Sequence, residues 1–262
     1  MSSAFDHMLD RVRDGAAVIE PGWGQGRAAF GGLMAALAYQ GLAQSLAPAA
    51  PLRALSVSFV APGTPGPARV QAELLRQGRS ASQSLARISQ QDGVCTLIQA
   101  SHGAPRQSVI AIDAATAPAL PGPGEGQVLP WLEGVVPEFT RHFELVFVQG
   151  GLPFSGEGRG DMAGWVRFRE PPARIDIPHV LALLDAWPPA VLPMYRQPAP
   201  ISSLAWTMEW LPGAALSSPQ GWWQYQAHTD VAADGYAQIG ARLFNEQGEL
   251  VVISRQTVAL FG

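Results

Sequence analysis

A single cysteine, Cys95, stands in 262 residues, so no disulfide can close within the chain and no multi-cysteine metal site exists. That usage fits a reducing compartment, and a cytoplasmic location is expected. Charge is scarce as well, with 15% charged residues and a formal net charge of −4. There is no run or stripe of Lys and Arg, which removes the electrostatic footprint of a nucleic-acid binder. Long hydrophobic runs are missing. Gly, Pro or polar residues break every apolar stretch well short of a membrane span. Asp6, His7 and Asp10 interrupt the segment where a signal peptide would carry its apolar core. A soluble protein is expected, with no nucleic-acid or membrane partner. Its sparsely charged surface predicts a homo-oligomer that hides part of it.

Abundant instead are hydrophobic residues, at 47%, together with 28 Gly and 23 Pro. The first can build a large core; the others cut the chain into short elements. Between Ala104 and Pro130 the chain passes Pro105, Pro118, Pro121-Gly122-Pro123-Gly124 and Gly126 with little periodicity, which reads as a linker. The expected division is 1–104, a linker over 105–130, and 131–262. In the first part, an Ala-, Leu- and Met-rich stretch from Phe30 to Leu46 is apolar around most of its circumference, the mark of a buried helix. Strands are predicted over 52–61, 68–76, 80–90 and 94–101, with Asp92-Gly93 as a hairpin turn. In the second part, strands over 139–148 and 162–169 precede a helix over 178–186, opened by Pro178 and closed by Pro188-Pro189. Strands over 202–211, 222–231, 236–245 and 250–260 follow, the last two joined at Gln247-Gly248. Helix followed by a run of antiparallel strands occurs twice, so the chain reads as a duplication.

Four local runs carry a resemblance: Phe30-Gly31-Gly32-Leu33-Met34-Ala35-Ala36-Leu37, Gln77-Gly78-Arg79-Ser80, Leu184-Asp185-Ala186-Trp187-Pro188-Pro189 and Ile253-Ser254-Arg255-Gln256. In this order they span nearly the whole chain, which resembles the acyl-CoA thioesterase II family of double hotdog proteins. The fold this implies is α+β: a double hotdog, with two antiparallel sheets each wrapped around a long central helix. The activity it implies is hydrolysis of an acyl-CoA to free acid and CoA, with acyl-CoA as substrate and no cofactor or metal. The family site is an Asp, a Thr or Ser, and a Gln, which together hold a water. Gln256 matches the Gln, Thr229 with Asp230 beside it matches the hydroxyl residue, and the Asp position falls at Ala205.

Thioester hydrolysis needs a polarised carbonyl, an aimed water and a proton acceptor. Gly31 and Gly32 open a helix whose free N–H groups suit an oxyanion. Gln256 can orient a water but cannot deprotonate it. With Ala205 at the acid position, the base must be Asp230, Glu209 or Asp185, the last in a helix whose middle should be buried. Thr229 and Asp230 are adjacent on a strand and point to opposite faces, so only one can enter the site. Arg76, Arg79 and Arg87 surround the Gly78 turn; Arg76 and Arg79 are candidates for the CoA phosphates. A chain that kept the fold and lost the base would be a non-catalytic acyl-CoA-binding protein. A dehydratase would want a His near an acid, and the helix-borne His179 lies at the start of its helix. No dinucleotide fingerprint or Gly-x-Ser-x-Gly elbow is present.

Overall fold

The computed structural model describes residues 3–91, 93–211 and 213–261. In chain order the elements are α1 (Ala4–Asp10), β1 (Ala16–Ile19), β2 (Gly24–Gln25), β3 (Ala28–Ala29), α2 (Gly31–Leu46), β4 (Leu52–Phe59), β5 (Gly66–Gln77), β6 (Ala81–Gln90) and β7 (Gly93–Gly103). Then come β8 (Gln127–Val128), β9 (Phe143–Gln149), β10 (Asp161–Phe168), α3 (Ile177–Asp185), β11 (Ile201–Trp210), β12 (Trp223–Ala233), β13 (Tyr236–Phe244) and β14 (Leu250–Leu260). The expected hairpin residue Asp92 lies outside the described residues.

Twelve strands form one continuous antiparallel sheet in the order β1-β5-β6-β7-β4-β11-β14-β13-β12-β10-β9-β8, and β2 pairs with β3 apart from it. The two repeats therefore do not make separate sheets. They fuse where β4 pairs with β11, placing Val57 opposite Trp206 and Leu55 opposite Met208. Alternation decides which face each strand buries. In β4, Leu55 and Val57 turn inward while Ser56 and Ser58 face out. The helices lie on the inward face. As its broad apolar surface requires, α2 is buried from Gly32 through Tyr39, packed on β5, β6, β7 and α3. The second helix is not long: α3 has 9 residues against 16 for α2. Its brevity matters, because α3 ends at Asp185, beside the start of α2.

Residues 105–130 are not a free tether. Gln127 and Val128 extend the sheet beside β9, Thr116 bridges Glu249, and the carbonyls of Pro118 and Pro121 accept from Gln224 and Trp165. Helix α1, absent from the sequence reading, is fixed by its caps. The Ser3 hydroxyl accepts from the Asp6 N–H, and the Asp6 carboxylate accepts from the Ser3 N–H in return.

The same Asp6 pins α1 to α3. Its carboxylate accepts from the Ala173 N–H at 2.9 Å and from His179 Nε2 at 2.9 Å. His179 Nδ1 accepts from the Asp176 N–H, so the imidazole is neutral and Nε2 carries its proton. Both ring nitrogens are engaged, and Phe5 and Phe168 pack edge-on against the ring. This is a structural staple, not an open acid–base pair. We expect Asp6→Ala to cost about 3 kcal/mol in urea unfolding, because it orphans a buried donor. Burial chiefly holds the His179 pKa below its usual value, with Asp6 pulling the other way. The unfolded chain therefore takes up the proton first, and stability should fall as pH drops below about 6.5.

Candidate active site

Helix α2 begins without a capping side chain. The N–H of Phe30, its N-cap, is taken by the carbonyl of Trp23 at 2.8 Å, while those of Gly31, Gly32 and Leu33 precede Met34, whose N–H is the first to donate within the helix, to the Phe30 carbonyl. What meets them is the last residue of α3. An added Cβ at Gly31 would lie 2.9 Å from Asp185 Oδ2, and one at Gly32 would lie 3.0 Å from Asp185 Cβ. Two successive glycines are thus the condition for this carboxyl to reach the helix terminus. The Gly32 N–H donates to it, and the positive end of the helix dipole favours its charged form.

Strand β14 supplies the next group. Gln256 Nε2 donates to Asp185 Oδ1 at 3.1 Å and lies 3.0 Å from Ser203 Oγ, to which it also donates. Gln256 shares the inward face of β14 with the buried Ser254 and Val258. Opposite it on β11 stands Trp206, whose indole N–H donates to Ser254 Oγ at 2.7 Å.

Ser203 is three positions before Trp206, so in a regular strand the two would face opposite sides. A bulge between Ser203 and Ala205 removes one step from the count: Ser203 pairs with Val258 and Ala205 with Thr257. The extra residue, Leu204, is absorbed without a partner, and Ser203 joins Trp206 on the inward face.

Asp185, Gln256 and Ser203 therefore form one connected group, fed by a helix, a central strand and a bulge. Part of the Asp185 side chain still reaches the surface, but dense packing around the carboxyl dominates and pushes its pKa up to about 7. The hydrogen bonds from Gln256 and Gly32 act the other way and are outweighed. Beside it, Tyr225 is buried. Burial first, and the nearby Asp185 charge second, raise its hydroxyl above the ordinary range. Trp187 stacks on Tyr225 at 4.7 Å and 8°.

Of the residues expected from the sequence, Gly31, Gly32, Asp185 and Gln256 come together. Thr229 does not touch this group. It faces inward on β12, against Gly160, and its hydroxyl has no partner. Asp230 lies on the outer face, bound at Oδ2 to Arg255 at 2.6 Å and at Oδ1 to His228 at 2.9 Å. The sheet separates it from Gln256, so the expected grouping of the two does not form. Ala205 and Glu209 are also on the outer face, both exposed. The carboxyl that meets Gln256 belongs to helix α3, and Ala205 lies away from it on the outer face of β11. Ser203 is the hydroxyl that the sequence alone does not single out.

Arg76 and Arg79 are exposed at the end of β5 and in the turn after it, with β6, β7, β4 and β11 between them and β14 in the sheet. An open groove of about 530 Å³ lies behind the site on the outer face, lined in part by Asp161, His228, Gly240 and Arg255. It shares no side chain with the Asp185 group. Among the described residues no helix is long and apolar enough to cross a membrane.

Residues 19–103 match the family model for the acyl-CoA thioesterase N-terminal domain, and residues 114–260 match that for the C-terminal domain. A conserved hot dog fold protein of unknown function from Alicyclobacillus acidocaldarius superposes with a TM-score of 0.86 at 21% identity, covering 100% of this chain and 99% of the other. A putative thioesterase II from Thermobifida fusca gives 0.82 at 18% identity, covering 100% and 98%. An acyl-CoA thioesterase II from Mycobacterium marinum gives 0.72 at 19% identity, covering 99% and 98%. At these identities the superpositions establish the hotdog fold. No curated protein matches the sequence significantly.

Proposed function

Because the chain belongs to the acyl-CoA thioesterase family and carries its two domains in order, we propose that it hydrolyses an acyl-CoA thioester to free acid and CoA, with Asp185 as general base. One observation carries the reading: a carboxyl whose pKa is pushed up to about 7, hydrogen-bonded to Gln256 and set against an uncapped helix terminus. A base poised near neutrality is both ionised often enough and basic enough to take a proton from water.

In this mechanism the thioester carbonyl lies at the start of α2, where the N–H groups of Gly31 and Leu33 stabilise the developing oxyanion. Gln256 and Ser203 hold the water that Asp185 deprotonates. The hydroxide adds to the carbonyl carbon, the tetrahedral intermediate expels sulfur, and Asp185 returns the proton to the leaving thiolate. Free acid and free CoA result, and no electron leaves the system. In the division we adopt, residues 1–104 and 131–262 are the two hotdogs, joined through 105–130, with each half of the sheet curving around its own helix. Arg76 and Arg79 remain our candidates for the CoA phosphates.

The test is release of free thiol from acyl-CoAs of increasing chain length. Gln256→Ala should lower kcat about 100-fold while leaving circular dichroism and the unfolding midpoint nearly unchanged, because it removes water placement and not the base. Turnover equal to wild type in this variant would remove Gln256 from the mechanism. Absence of turnover in the wild type on every chain length would sink hydrolysis of these substrates. The rival reading, an acyl-CoA-binding protein without a base, draws on Ala205, and that position lies on the wrong face of the sheet to support it.

A further inference from the structure

The Asp185 carboxyl is open on one side only. Gly31, Ser203 and Gln256 around it are half-buried, whereas Trp187, Trp206 and Tyr225 behind it are buried. A thioester therefore reaches the carboxyl across the half-buried group. One apolar side chain shares that side, and no step of the hydrolysis uses it. Phe59 is the last residue of β4 and faces inward, in alternation with Leu55 and Val57. Ser58 pairs with Ala205, so Phe59 ends its strand next to the Leu204 bulge that turns Ser203 inward. Part of Phe59 packs on the core and the rest is at the surface.

Its ring stands at the oxyanion end of the site. A Cβ added at Gly31 would lie 3.0 Å from both Cε1 and Cζ of Phe59 and 2.9 Å from Asp185 Oδ2. The ring edge and the carboxyl oxygen are thus within about 6 Å of each other. In the mechanism above, the Gly31 N–H holds the carbonyl oxygen. The carbon next to the carbonyl is only about 2.4 Å from that oxygen by covalent geometry, so whatever it carries falls beside the ring. This space does not take even one methyl group at Gly31 unless the ring or the carboxyl moves. The other substituent of the carbonyl, sulfur, leads into the CoA arm. Its amides need hydrogen-bond partners, which a phenyl ring does not offer, so this wall suits the acyl side.

Building on the thioesterase reading, we propose that Phe59 is a specificity-determining residue that restricts the substrate to acyl-CoAs unbranched at the carbon next to the thioester carbonyl. A straight chain presents only hydrogens there and leaves along the surface side of the ring. A methyl branch at that carbon meets the ring edge. Packing on the core keeps the ring from swinging aside. Phe59 moves no proton and binds no oxyanion; its role is steric.

The experiment uses butanoyl-, hexanoyl- and octanoyl-CoA, each beside its 2-methyl counterpart. Thiol release by the wild type should favour the straight member of a pair about 100-fold in kcat/KM, within the range one methyl group commands in a fitted pocket. Phe59→Ala should bring that ratio to within about threefold. Phe59→Leu, which keeps an apolar contact with the core, should relax it in smaller degree and guards against a loss of folding in the alanine variant. Kd values for the same pairs are measured calorimetrically on Asp185→Asn protein, which should not consume them, with and without Phe59→Ala. They should show the same preference and the same loss of it. A ratio near one in the wild type, or a ratio unchanged in both Phe59 variants, overturns the proposal, as does failure of every ligand to bind. A preference in Kd that depends on Phe59, combined with no thiol release by the wild type, would uphold the ligand class while refuting hydrolysis.

Discussion

Asp185→Asn should lower kcat by roughly 1,000-fold, within the range typical for loss of a general base. The rate profile of the wild type gives the assignment its second arm. Because the carboxyl must be ionised to accept a proton, kcat/KM should rise with pH up to about 7 and then level off, following the pKa that burial imposes on Asp185. The variant should lose that limb along with its rate. Stability should move the opposite way. A folded pKa above the unfolded value near 3.9 means that the native state binds the extra proton. Stability from this group is therefore complete below pH 4 and is lost as pH rises through about 7. Above that pH the wild type holds a charge in a place that disfavours it. The carboxamide of the Asp185→Asn variant carries no charge and still offers an oxygen to Gln256. The variant should therefore be about 2 kcal/mol more stable than the wild type in urea at pH 8. A variant that is slower and more stable is the signature of a charge kept for chemistry. A slow variant that is also destabilised would assign Asp185 to the architecture, as a partner of Gly32 and Gln256.

The parts of this site that are legible in the sequence share a property: their position follows from uninterrupted periodicity. The pattern places a helix over 30–46, and α2 occupies Gly31–Leu46; it places a strand over 250–260, and β14 occupies Leu250–Leu260. Those two elements carry Gly31, Gly32 and Gln256, the last singled out by the family resemblance. Asp185 follows from the proline pair that stops α3. Where the count is broken, position cannot be read. The resemblance puts the family Asp at Ala205, and unbroken alternation gives Ser203 and Ala205 one common face. The bulge at Leu204 reverses that parity, and no residue type announces it, because a bulge is fixed by pairing with β14 and not by local preference. A second bulge, between Thr229 and Val231, sits at Asp230. The adjacency of Thr229 and Asp230 in sequence suggests a joint role; the sheet places them on opposite sides. Helix α1 is illegible for another reason. It is only seven residues long, and its stability comes from the Ser3–Asp6 cap and from His179, a residue far away in sequence.

Gly32→Val should be the most damaging change at the other pole of the site. A Cβ there would stand 2.5 Å from the Phe30 ring and 3.0 Å from Asp185 Cβ. Phe30 cannot yield easily, because it stacks on Phe139 at 4.1 Å and is fully buried. The displacement must fall largely on Asp185, and with it on the water that Asp185 and Gln256 hold. A shift of about 1 Å in a reacting group costs on the order of 100-fold in rate, and overpacking adds about 3 kcal/mol of instability. Loss of folded protein and loss of chemistry are separated by a second glycine on the same helix. Gly41→Ala would press on Val70, on the β5 side of α2 and more than two turns from the glycines that meet Asp185. It should cost comparable stability while leaving kcat per folded molecule within about twofold, since its strain falls on packing alone. If both variants lost activity in proportion to their unfolding midpoints, the glycine pair at the start of α2 would be a packing requirement only. If Gly32→Val alone lost rate at full folding, the close approach of helix terminus and carboxyl would be the feature on which turnover depends.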